Sequence, residues 1–440
     1  MSPVTTGATR AQQTPAGGSG LPRLLPPPSH GGDLAAHLGL HGPVPYRGSA
    51  GALIPEVGAA GLTGRGGAAF PVHRKLEAVA AARPGRAIVV GNGAEGEPAS
   101  HKDEALLSLA PHLVLDGLQL AAEAVGAGRA VLYVRADLRA RTRLDDCLRE
   151  RDAYGLDRVP VEIVWSPRRF LAGEESALAS RISGGPAVPR FTPPRVFTRG
   201  VDGRPTLVQN VETLAHLALI ARYGPGWFRA MGTSDEPGTM LCTLRQASGS
   251  VDVAEAALGT PLAALLHLPA VTGNEEGGGA VLVGGYHGAW LPAAQAAQLT
   301  LSNAQLRPAG AFTGAGVLAA LPADRCGLIE SARVARYLAL ESAGQCGPCR
   351  SGLPSIAAAM SELPGSHPEP RVLDNLTRWA GLVEGRGACH HPDGTVRFLR
   401  SALRVFGPEV RLHQQRRCSA ETDRPFLPVP AGPSTEADWS

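Results

Sequence analysis

A glycine-rich segment early in the chain has the residue types of a phosphate-binding turn. Residues 61–71 read GLTGRGGAAFP, and a helical pattern that contains Lys75 follows over residues 72–82. Glycines let a backbone approach a ligand closely, and a helix N-terminus directs unpaired N–H groups and the positive end of its dipole at an anion. Lys75, on the first turn of that helix, is placed to reach the same anion. The glycines alone are explained equally well by a tight turn between two packed elements.

Two further loops combine glycine with carboxylates. Of the 42 basic residues only Lys75 and Lys102 are lysine, and Lys102 closely follows the segment GNGAEGEP at residues 91–98. Where arginine fills nearly every basic position, a remaining lysine indicates a need for a compact ammonium. A later loop, AGEES, supplies Glu174 and Glu175. Carboxylates beside a phosphate-binding turn suit the hydroxyls of a ribose or ribityl chain, although for Glu174 and Glu175 alone capping of the following helix is the simpler role.

Three of the seven cysteines have the spacing of a metal site. Cys346 and Cys349 form a C-x-x-C with Pro348 between them, and Cys389 follows in the segment GACHH. Two thiolates on a tight turn can bind one metal, and both iron–sulfur clusters and zinc use this arrangement. Chance cysteines on a loop are the competing interpretation. The other thiols are interpreted as buried or incidental: Cys147, Cys242, Cys326 and Cys418.

Length and composition indicate a folded protein of two or three domains. The 440 residues exceed one ordinary core, with 44% hydrophobic and 18% charged residues. A net charge of +3, with no basic run interleaved with aromatic residues, gives no indication of a nucleic-acid partner. The sequence shows no signal-peptide pattern, and each apolar stretch is interrupted before membrane-spanning length, so we expect no direct membrane insertion. The cysteine pattern, with one C-x-x-C and no even framework, predicts a reducing, cytoplasmic location.

Alternating strand and helix patterns predict a parallel α/β sheet in the first half of the chain. We expect strands over residues 87–90, 130–134 and 161–165, with helices over 113–125 and 138–151 between them. This alternation is typical of parallel sheets, whose ligands bind at the carboxyl ends of the strands. The segment GNGAEGEP follows the first strand at that position.

The pattern changes in the second half. Glycine, short apolar runs and turn signals over residues 226–305 predict a small mixed β domain. Helical patterns then predict a small bundle of four helices over residues 329–340, 353–363, 372–383 and 396–406. The Pro-, Gly- and Ser-rich leader, 1–33, and the tail, 419–440, are predicted to be disordered.

Together and in this order, the motifs resemble the NADH-binding flavoprotein (F) subunit of respiratory NADH dehydrogenase and its relatives in soluble hydrogenases and formate dehydrogenases. The resemblance covers about residues 50–406 and rests on the segments 64–75, 92–103, 173–178, 210–214 and 341–389. It implies an α/β fold with three consecutive domains. These are a Rossmann-like FMN-binding domain over 34–225, a small ubiquitin-like β-grasp (SLBB-like) domain over 226–308, and a C-terminal four-helix iron–sulfur bundle over 309–418.

The resemblance also implies roles for individual residues. Those expected around FMN are Gly64, Arg65, Gly66, Gly67, Lys75, Asn92, Glu95, Gly173, Glu174, Glu175 and Asn210. Those expected at a dinucleotide, NAD(H), are Phe70, Glu97 and Glu175. The cluster ligands implied are Cys346, Cys349 and Cys389.

The chain departs from the family at several of these positions, which marks it as a divergent, stand-alone member. Ala343 replaces the first cysteine of the cluster motif, which predicts a [4Fe–4S] or [3Fe–4S] centre with three thiolates. Ala94 replaces an aspartate, which makes that segment closer to the C subunit of Rnf-type reductases. Ala78 and Arg195 replace two phenylalanines on the dinucleotide side, so we expect weaker dinucleotide binding. The fourth cluster ligand is expected among Glu341, Ser342, Cys326 and His390.

Two functional hypotheses follow. In the first, the chain is an NADH dehydrogenase-type oxidoreductase component that oxidises NAD(P)H through FMN. Electrons then pass to the cluster and to a partner, either a ferredoxin-like protein or another oxidoreductase subunit. In the second, the chain is a degenerate, structural or regulatory homologue without dinucleotide oxidation. Cys346, Cys349 and Cys389, with His390 or His391, then bind zinc.

Overall fold

The apolar runs in the first half of the chain form a four-stranded sheet. The structure is a computed structural model, and it describes residues 23–26, 32–81, 85–136, 141–268, 279–365, 371–422, 424–430 and 439. The strands are β1 (Ile88–Gly93), β2 (Arg129–Arg135), β3 (Val161–Ser166) and β4 (Thr206–Asn210). Their order is β3-β2-β1-β4 and every pair is parallel, as the strand and helix alternation predicts.

Helices cover this sheet and bury its apolar side chains. They are α1 (Leu34–His41), α2 (Ile54–Ala60), α3 (Val72–Ala80), α4 (Lys102–Leu109), α5 (Pro111–Val125), α6 (Arg141–Ala153), α7 (Glu175–Ile182) and α8 (Val211–Arg229). Helices α5 and α8 touch at Gly117, where a Cβ atom would lie 1.9 Å from the carbonyl oxygen of Leu214. Glycine at this position therefore permits the close helix contact.

The order of the strands defines where a ligand can bind. The chain runs from β1 outward through β2 to β3, and then returns to place β4 on the opposite side of β1. Ligands of open parallel sheets bind at such a switch point, beyond the carboxyl ends of the strands. Asn92 at the end of β1 and Asn210 at the end of β4 are register partners there.

The second domain is a five-stranded mixed sheet with the β-grasp topology that the family resemblance implies. Its strands are β5 (Thr239–Arg245), β6 (Val251–Ala257), β7 (Ala280–Val283), β8 (Ala289–Pro292) and β9 (Val317–Leu321), with helices α9 (Leu262–Leu266), α10 (Ala293–Ala297) and α11 (Asn303–Leu306). The order is β6-β5-β9-β7-β8, and the first and last strands, β5 and β9, are parallel. The predicted boundary at residue 308 is therefore too early, because β9 completes this sheet.

The C-terminal domain is helical, as predicted. Its helices are α12 (Gly327–Leu340), α13 (Leu353–Glu362), α14 (Val372–Val383), α15 (His391–Val405) and α16 (Gly407–Gln414), with a π-helical turn at Pro348–Gly352. Helix α15 begins five positions before the predicted start at residue 396, because Pro392 occupies an N-terminal position where proline fits a helix. Helix α16 was not predicted, and it is a fifth helix of this domain.

The predictions of disorder at both ends are wrong for several described residues. Leu24 is buried, and its N–H group donates to Glu255 at 2.9 Å. Phe426 and Leu427 are also buried, and Trp439 packs with Leu171 and Ala172. The composition of the two segments predicted disorder, but the segments also contain these few apolar side chains. Burial of their apolar surface stabilises the contacts between the segments and the folded domains. The remaining leader and tail residues, 1–22, 27–31, 423, 431–438 and 440, lie outside the described residues.

Within the described residues, a single helix with the length and apolar character to cross a membrane is absent. The pair α4 and α5 passes that criterion only when both are taken together, and the two helices are bent by 97° at their junction.

Candidate functional site

The glycine-rich turn forms a closed loop that presents free backbone donors. Thr63 and Pro71 form an antiparallel bridge, and the N–H group of Gly64 donates to the carbonyl oxygen of Phe70 at 2.9 Å. Among the described residues, the N–H groups of Gly66 and Gly67 have no protein acceptor, and both residues are accessible. Gly67 has φ = +108°, a conformation that strains other residues. The loop therefore carries accessible donors of the kind that bind an anion.

The four first-domain motifs converge at the carboxyl ends of β1 and β4. A Cβ atom on Gly66 would lie 3.4 Å from the Cβ atom of Asn210. The Asn210 amide donates to the carbonyl oxygen of Asn92 at 3.2 Å, and the Asn92 amide donates to the carbonyl oxygen of Gly173 at 2.9 Å. Direct contacts thus link segments that lie far apart in the sequence at the place where the sheet order predicts a ligand.

Lys75 joins this cluster from helix α3. Its ammonium forms an ion pair with Glu175 at the start of α7, and both side chains are partly accessible. Phe70, on the loop that precedes α3, is 46% exposed. A charged pair and an accessible aromatic ring are therefore available next to the glycine loop, and the contacts of these three residues with FMN or a dinucleotide stay predictions.

Two of the predicted carboxylates cap helices. Glu95 accepts hydrogen bonds from the N–H groups of Asp103 and Glu104, each at 3.0 Å, in the first turn of α4. Glu174 accepts from the N–H groups of Ser176 at 2.9 Å and Ala177 at 3.0 Å. Burial raises the pKa of Glu174 above its ordinary value, and these hydrogen bonds oppose the shift. The capping role considered for Glu174 is thus present, whereas a contact of Glu95 with a ribityl chain stays a prediction.

Glu97 connects the first domain to the β-grasp domain. Its carboxylate accepts from the N–H group of Tyr286 at 2.7 Å and from that of Ala99 at 3.2 Å. Burial raises the pKa of Glu97 to about 7, although both hydrogen bonds favour the charged form. Gly285, in the turn between β7 and β8, has φ = +88°, a conformation that strains other residues, and a Cβ atom there would lie 2.6 Å from the Glu97 carboxylate. Glu97, one of the three residues predicted to bind the dinucleotide, therefore forms a hydrogen bond between the first domain and the β-grasp domain.

A buried ion network beneath the loop was not foreseen from the sequence. The Lys102 ammonium lies 2.6 Å from Asp103 and 2.9 Å from Glu212, and all three side chains are at most 5% exposed. Burial by itself lowers the pKa of Lys102, but the facing carboxylates outweigh it and raise that pKa. The Arg65 side chain is also buried, donates to the carbonyl oxygen of Thr239 at 3.2 Å and lies 4.0 Å from Glu212. The Arg65 backbone N–H group donates to the hydroxyl of Thr213 at 2.9 Å, so Arg65 fastens the glycine turn to α8, and its contact with FMN stays a prediction.

The sequence contained two signals for this network. One was the survival of Lys102 as lysine, and the other was Glu212 inside the segment NVETL. Both residues belong to segments that carry the family resemblance, but neither was assigned a structural role. Glu212 also accepts from the N–H group of Leu241 at 2.8 Å, which ties α8 to strand β5.

The three predicted cluster ligands lie close to one another. Cys349 lies on the π-helical turn, three positions after Cys346. Burial raises the pKa of the Cys349 thiol to about 12, with further contributions from Cys346 and Cys389. Burial likewise raises the pKa of Cys389 to about 11, and the Glu174 carboxylate adds to that shift. Three thiols in one region of the helical domain suit an iron–sulfur cluster, because a bound metal stabilises the thiolate form.

The four candidates for the fourth cluster ligand differ in their distance from the cluster cysteines, their contacts and their exposure. Cys326 precedes the first residue of α12, whereas Cys346 follows the far end of this 14-residue helix, about 21 Å away along its axis. The expectation that Cys326 completes the cluster is therefore wrong. Glu341 is buried and accepts from the N–H group of Phe170 at 2.8 Å. The Ser342 hydroxyl donates to the carbonyl oxygen of Cys349 at 3.4 Å, whereas the side chain of His390 is 97% exposed.

Comparison with known proteins agrees with this geometry. Residues 57–219 match the Nuo51 FMN-binding domain, and residues 330–413 match the NADH-ubiquinone oxidoreductase-F iron-sulfur binding region. The accessible glycine donors at the switch point and the three grouped thiols fit these two cofactors. The predicted cofactors, FMN and an iron–sulfur cluster, are confirmed by the matches.

Similar proteins extend over most of the chain. The F 1 subunit of the NADH-quinone oxidoreductase of Rhizobium meliloti is 31% identical over 375 aligned positions, which cover 81% of this chain and 85% of the relative. The corresponding F subunit of Streptomyces coelicolor is 28% identical over 380 aligned positions, which cover 82% of each protein. A chain in the crystal structure of an NAD⁺-reducing [NiFe]-hydrogenase has a TM-score of 0.74 and 30% identity over 84% of this chain. This chain spans 63% of the length of that hydrogenase chain. The present chain therefore belongs to the family of NADH-quinone oxidoreductase F subunits, as its five motifs predict.

Proposed function

We propose that this chain is the flavoprotein component of an NAD(P)H-oxidising electron-transfer system. When bound, FMN supplies hydride acceptance from the dinucleotide and one-electron transfer onward to an iron–sulfur centre. The proposal assigns the flavin to the switch point of the parallel sheet and the cluster to the C-terminal helical domain.

One observation carries this proposal: residues 170–175 contact both the strand-end site and the helical domain that holds the cluster cysteines. Gly173 accepts from Asn92 on the side of the glycine loop. On the other side, the N–H group of Phe170 donates to Glu341 of the helical domain at 2.8 Å. Ala343, three positions before Cys346, packs against the apolar cluster that includes the residues just before Gly173. Direct packing between the two domains at this segment supports electron transfer from one site to the other within a single chain.

The proposed roles of the residues follow from their positions. The N–H groups of Gly66 and Gly67 would donate to the phosphate or the ring edge of FMN. A side chain at either position would keep FMN away from these N–H groups. Asn92 and Asn210 would fix the isoalloxazine and ribityl groups from the ends of β1 and β4. The Lys75–Glu175 pair would meet the same ligand from α3 and α7. The remaining proposed contacts are Gly64, Arg65 through its backbone, Glu95, Gly173 and Glu174.

The partner is proposed to be another oxidoreductase subunit or a ferredoxin-like protein. The curated relatives are subunits, which supports a multi-subunit assembly for this chain as well. A cytoplasmic location is supported by the seven free cysteines, because thiols persist in a reducing compartment.

We expect the dinucleotide to reduce the flavin, with weaker binding than an aromatic pocket would give. Ala78 is exposed on α3 three positions after Lys75, and Arg195 is exposed. Each missing aromatic partner removes about 0.5–1.5 kcal/mol of stacking, so two together cost about tenfold or more in affinity. Anaerobic stopped-flow reduction by NADH and by NADPH measures this. The variant Ala78→Phe should lower the apparent Kd for NADH about three- to tenfold.

A matched substitution tests whether the effect is specific. Glu77 is exposed one position earlier on α3, and Glu77→Phe should leave the apparent Kd unchanged. Saturation of wild-type reduction at low micromolar NADH, with no gain in Ala78→Phe, would show that the lost ring does not limit binding. Preference for NADPH would assign Arg195 to a 2′-phosphate.

Restoring the missing cysteine should raise the iron content. Three thiolates leave one corner of a cubane without a protein thiolate, and Ala343 packs instead against the apolar cluster of Leu171, Ala172 and Trp439. We expect Ala343→Cys to increase iron per chain after anaerobic purification and to slow cluster loss in air. Ala343→Ser is the matched control, and its iron content should stay near the wild-type value. Zinc without iron in both wild type and Ala343→Cys would favour the degenerate, zinc-binding homologue.

A further inference from the structure

A second group of metal-ligating side chains lies at the opposite end of helix α12 from the cluster cysteines. It consists of Cys326, Glu409, His413 and Cys418, whose ligand atoms all lie within 4.8 Å of one another. Cys326, Glu409 and His413 are buried, and Cys418 is exposed. The two cysteines were interpreted from the sequence as incidental thiols, because 91 residues separate them and nothing in the pattern joins them.

We propose that these four side chains form a structural zinc site. Zinc prefers four ligands in a tetrahedron, and two thiolates, one imidazole and one carboxylate are ligands that it uses. Because all four positions are filled by protein, the site is closed and has no place for a substrate. The proposal is independent of the flavin and of the iron–sulfur centre.

The distances match the edges of a zinc tetrahedron. With Zn–S near 2.3 Å and Zn–N or Zn–O near 2.0–2.1 Å, a sulfur and a nitrogen ligand lie about 3.6 Å apart, and a nitrogen and an oxygen ligand about 3.4 Å apart. The Cys326 sulfur lies 3.5 Å from Nε2 of His413. The same Nε2 lies 3.4 Å from Oε1 of Glu409. These ligand atoms are therefore already at coordination spacing.

The local sequence explains how the ligands converge. Glu409 and His413 are four residues apart on α16, so they share one face of the helix. Cys326 is the N-cap residue of α12. The positive end of the helix dipole at this position favours a thiolate. Cys418 follows the end of α16 and completes the set.

Surrounding contacts hold the ligands in place. The N–H group of Ser419 donates to Oε1 of Glu409 at 3.0 Å, and the N–H group of Ala420 lies 3.4 Å from the Cys418 sulfur. Such outer contacts orient metal ligands and increase affinity. The N–H group of Glu421 also donates to the carbonyl oxygen of Asp324 at 3.2 Å. The site therefore attaches the segment after α16 to the loop before α12.

This attachment gives the site a structural role. Beyond the ligands, the N–H groups of Phe426 and Leu427 donate to the Glu330 carboxylate at 3.0 and 2.9 Å. The hydroxyl of Tyr286 donates to the carbonyl oxygen of Pro428 at 2.6 Å. A zinc ion that joins Cys326 to Cys418 would keep this C-terminal segment on the helical and β-grasp domains.

The test is metal analysis of the full-length protein purified anaerobically from zinc-supplemented medium. We expect about one zinc per chain in addition to any iron. Cys418→Ser should reduce zinc to less than about one tenth per chain while flavin and iron stay at the wild-type ratios. Since Cys418 is exposed, this substitution leaves the packed core intact. Cobalt substitution gives a second readout, because thiolate ligands give the bound cobalt charge-transfer bands, and these bands should be nearly absent in Cys418→Ser.

Two controls locate the zinc. Cys242→Ser changes a buried cysteine that belongs to neither group of metal-ligating side chains and should retain zinc. The double variant Cys346→Ser, Cys349→Ser should retain zinc and lose iron. The proposal fails if wild-type protein is free of zinc, or if the zinc is lost with Cys346 and Cys349 and kept in Cys418→Ser. It also fails if reduced protein takes up no zinc and Cys326 and Cys418 are recovered as a disulfide.

Discussion

Substitution of Gly66 by valine should abolish flavin retention while the protein remains folded. The backbone of Gly66 is outside the positive-φ region, and a Cβ atom there meets Asn210 at an ordinary contact distance of 3.4 Å. The fold therefore accepts a side chain at this position. The branched side chain would cover the accessible N–H groups of the loop. Its steric overlap with a bound flavin would cost about 1–3 kcal/mol or more of binding free energy. We expect the Kd for flavin to rise by about tenfold to 100-fold.

The measurement is the flavin-to-protein ratio after gel filtration, from the visible absorbance of the flavin. Gly226→Val is the matched control, because Gly226 is exposed, also has no positive φ, and has no atom within 4 Å of an added Cβ atom. The control should keep its flavin. If folded Gly66→Val protein still purifies with stoichiometric flavin, the glycine loop is not the flavin site.

Removal of the Lys102 ammonium should be among the most destabilising single changes in the chain. The ammonium lies 2.6 Å from Asp103 and 2.9 Å from Glu212, and Lys102→Met would leave buried Asp103 without its cation and Glu212 with only Arg65, 4.0 Å away. Breaking a buried ion pair by removing one partner typically costs about 3–5 kcal/mol. We expect the free energy of unfolding to fall by about this amount, measured by urea unfolding followed by circular dichroism.

The other lysine provides the control. Lys75 pairs with a partly exposed carboxylate, and such surface pairs contribute about 0–1 kcal/mol, so Lys75→Met should barely change the free energy of unfolding. The triple variant Lys102→Met, Asp103→Asn, Glu212→Gln should recover part of the loss, because it removes the unpaired charges. Equal, small losses in Lys75→Met and Lys102→Met would contradict a network held together by the Lys102 ammonium.

The order of the domains and most of their helices and strands were predicted correctly from the sequence. These predictions depend on hydrophobic periodicity and turn residues, which are visible within short segments. The strand predicted over 161–165 is observed as Val161–Ser166, and the helix predicted over 372–383 is observed as Val372–Val383. The boundary between the second and third domains was misplaced because β9 pairs with β5, more than 70 residues earlier, and only this pairing assigns it. Long-range pairing is not encoded in local periodicity.

The candidate site was predicted less completely than the fold. Glycine and carboxylate motifs identified the segments that meet at the strand ends, since each motif has its own composition. The contacts that Glu97 and Arg65 make with the second domain were not predicted, because their partners, Tyr286 and Thr239, lie far away in the sequence. The position of Cys326 was misjudged because only the length and direction of α12 separate it from the cluster cysteines.

Reduction of the cluster by NADH through the flavin tests the central claim most directly. The anaerobically purified protein is mixed with NADH alone, and the low-temperature EPR spectrum and the flavin absorbance are recorded together. The account predicts bleaching of the flavin and a reduced iron–sulfur signal in wild-type protein. It predicts neither change in Gly66→Val, whose iron content should equal that of wild type. Wild-type protein that holds no iron, or a cluster that NADH reduces equally well in flavin-free Gly66→Val, would contradict it.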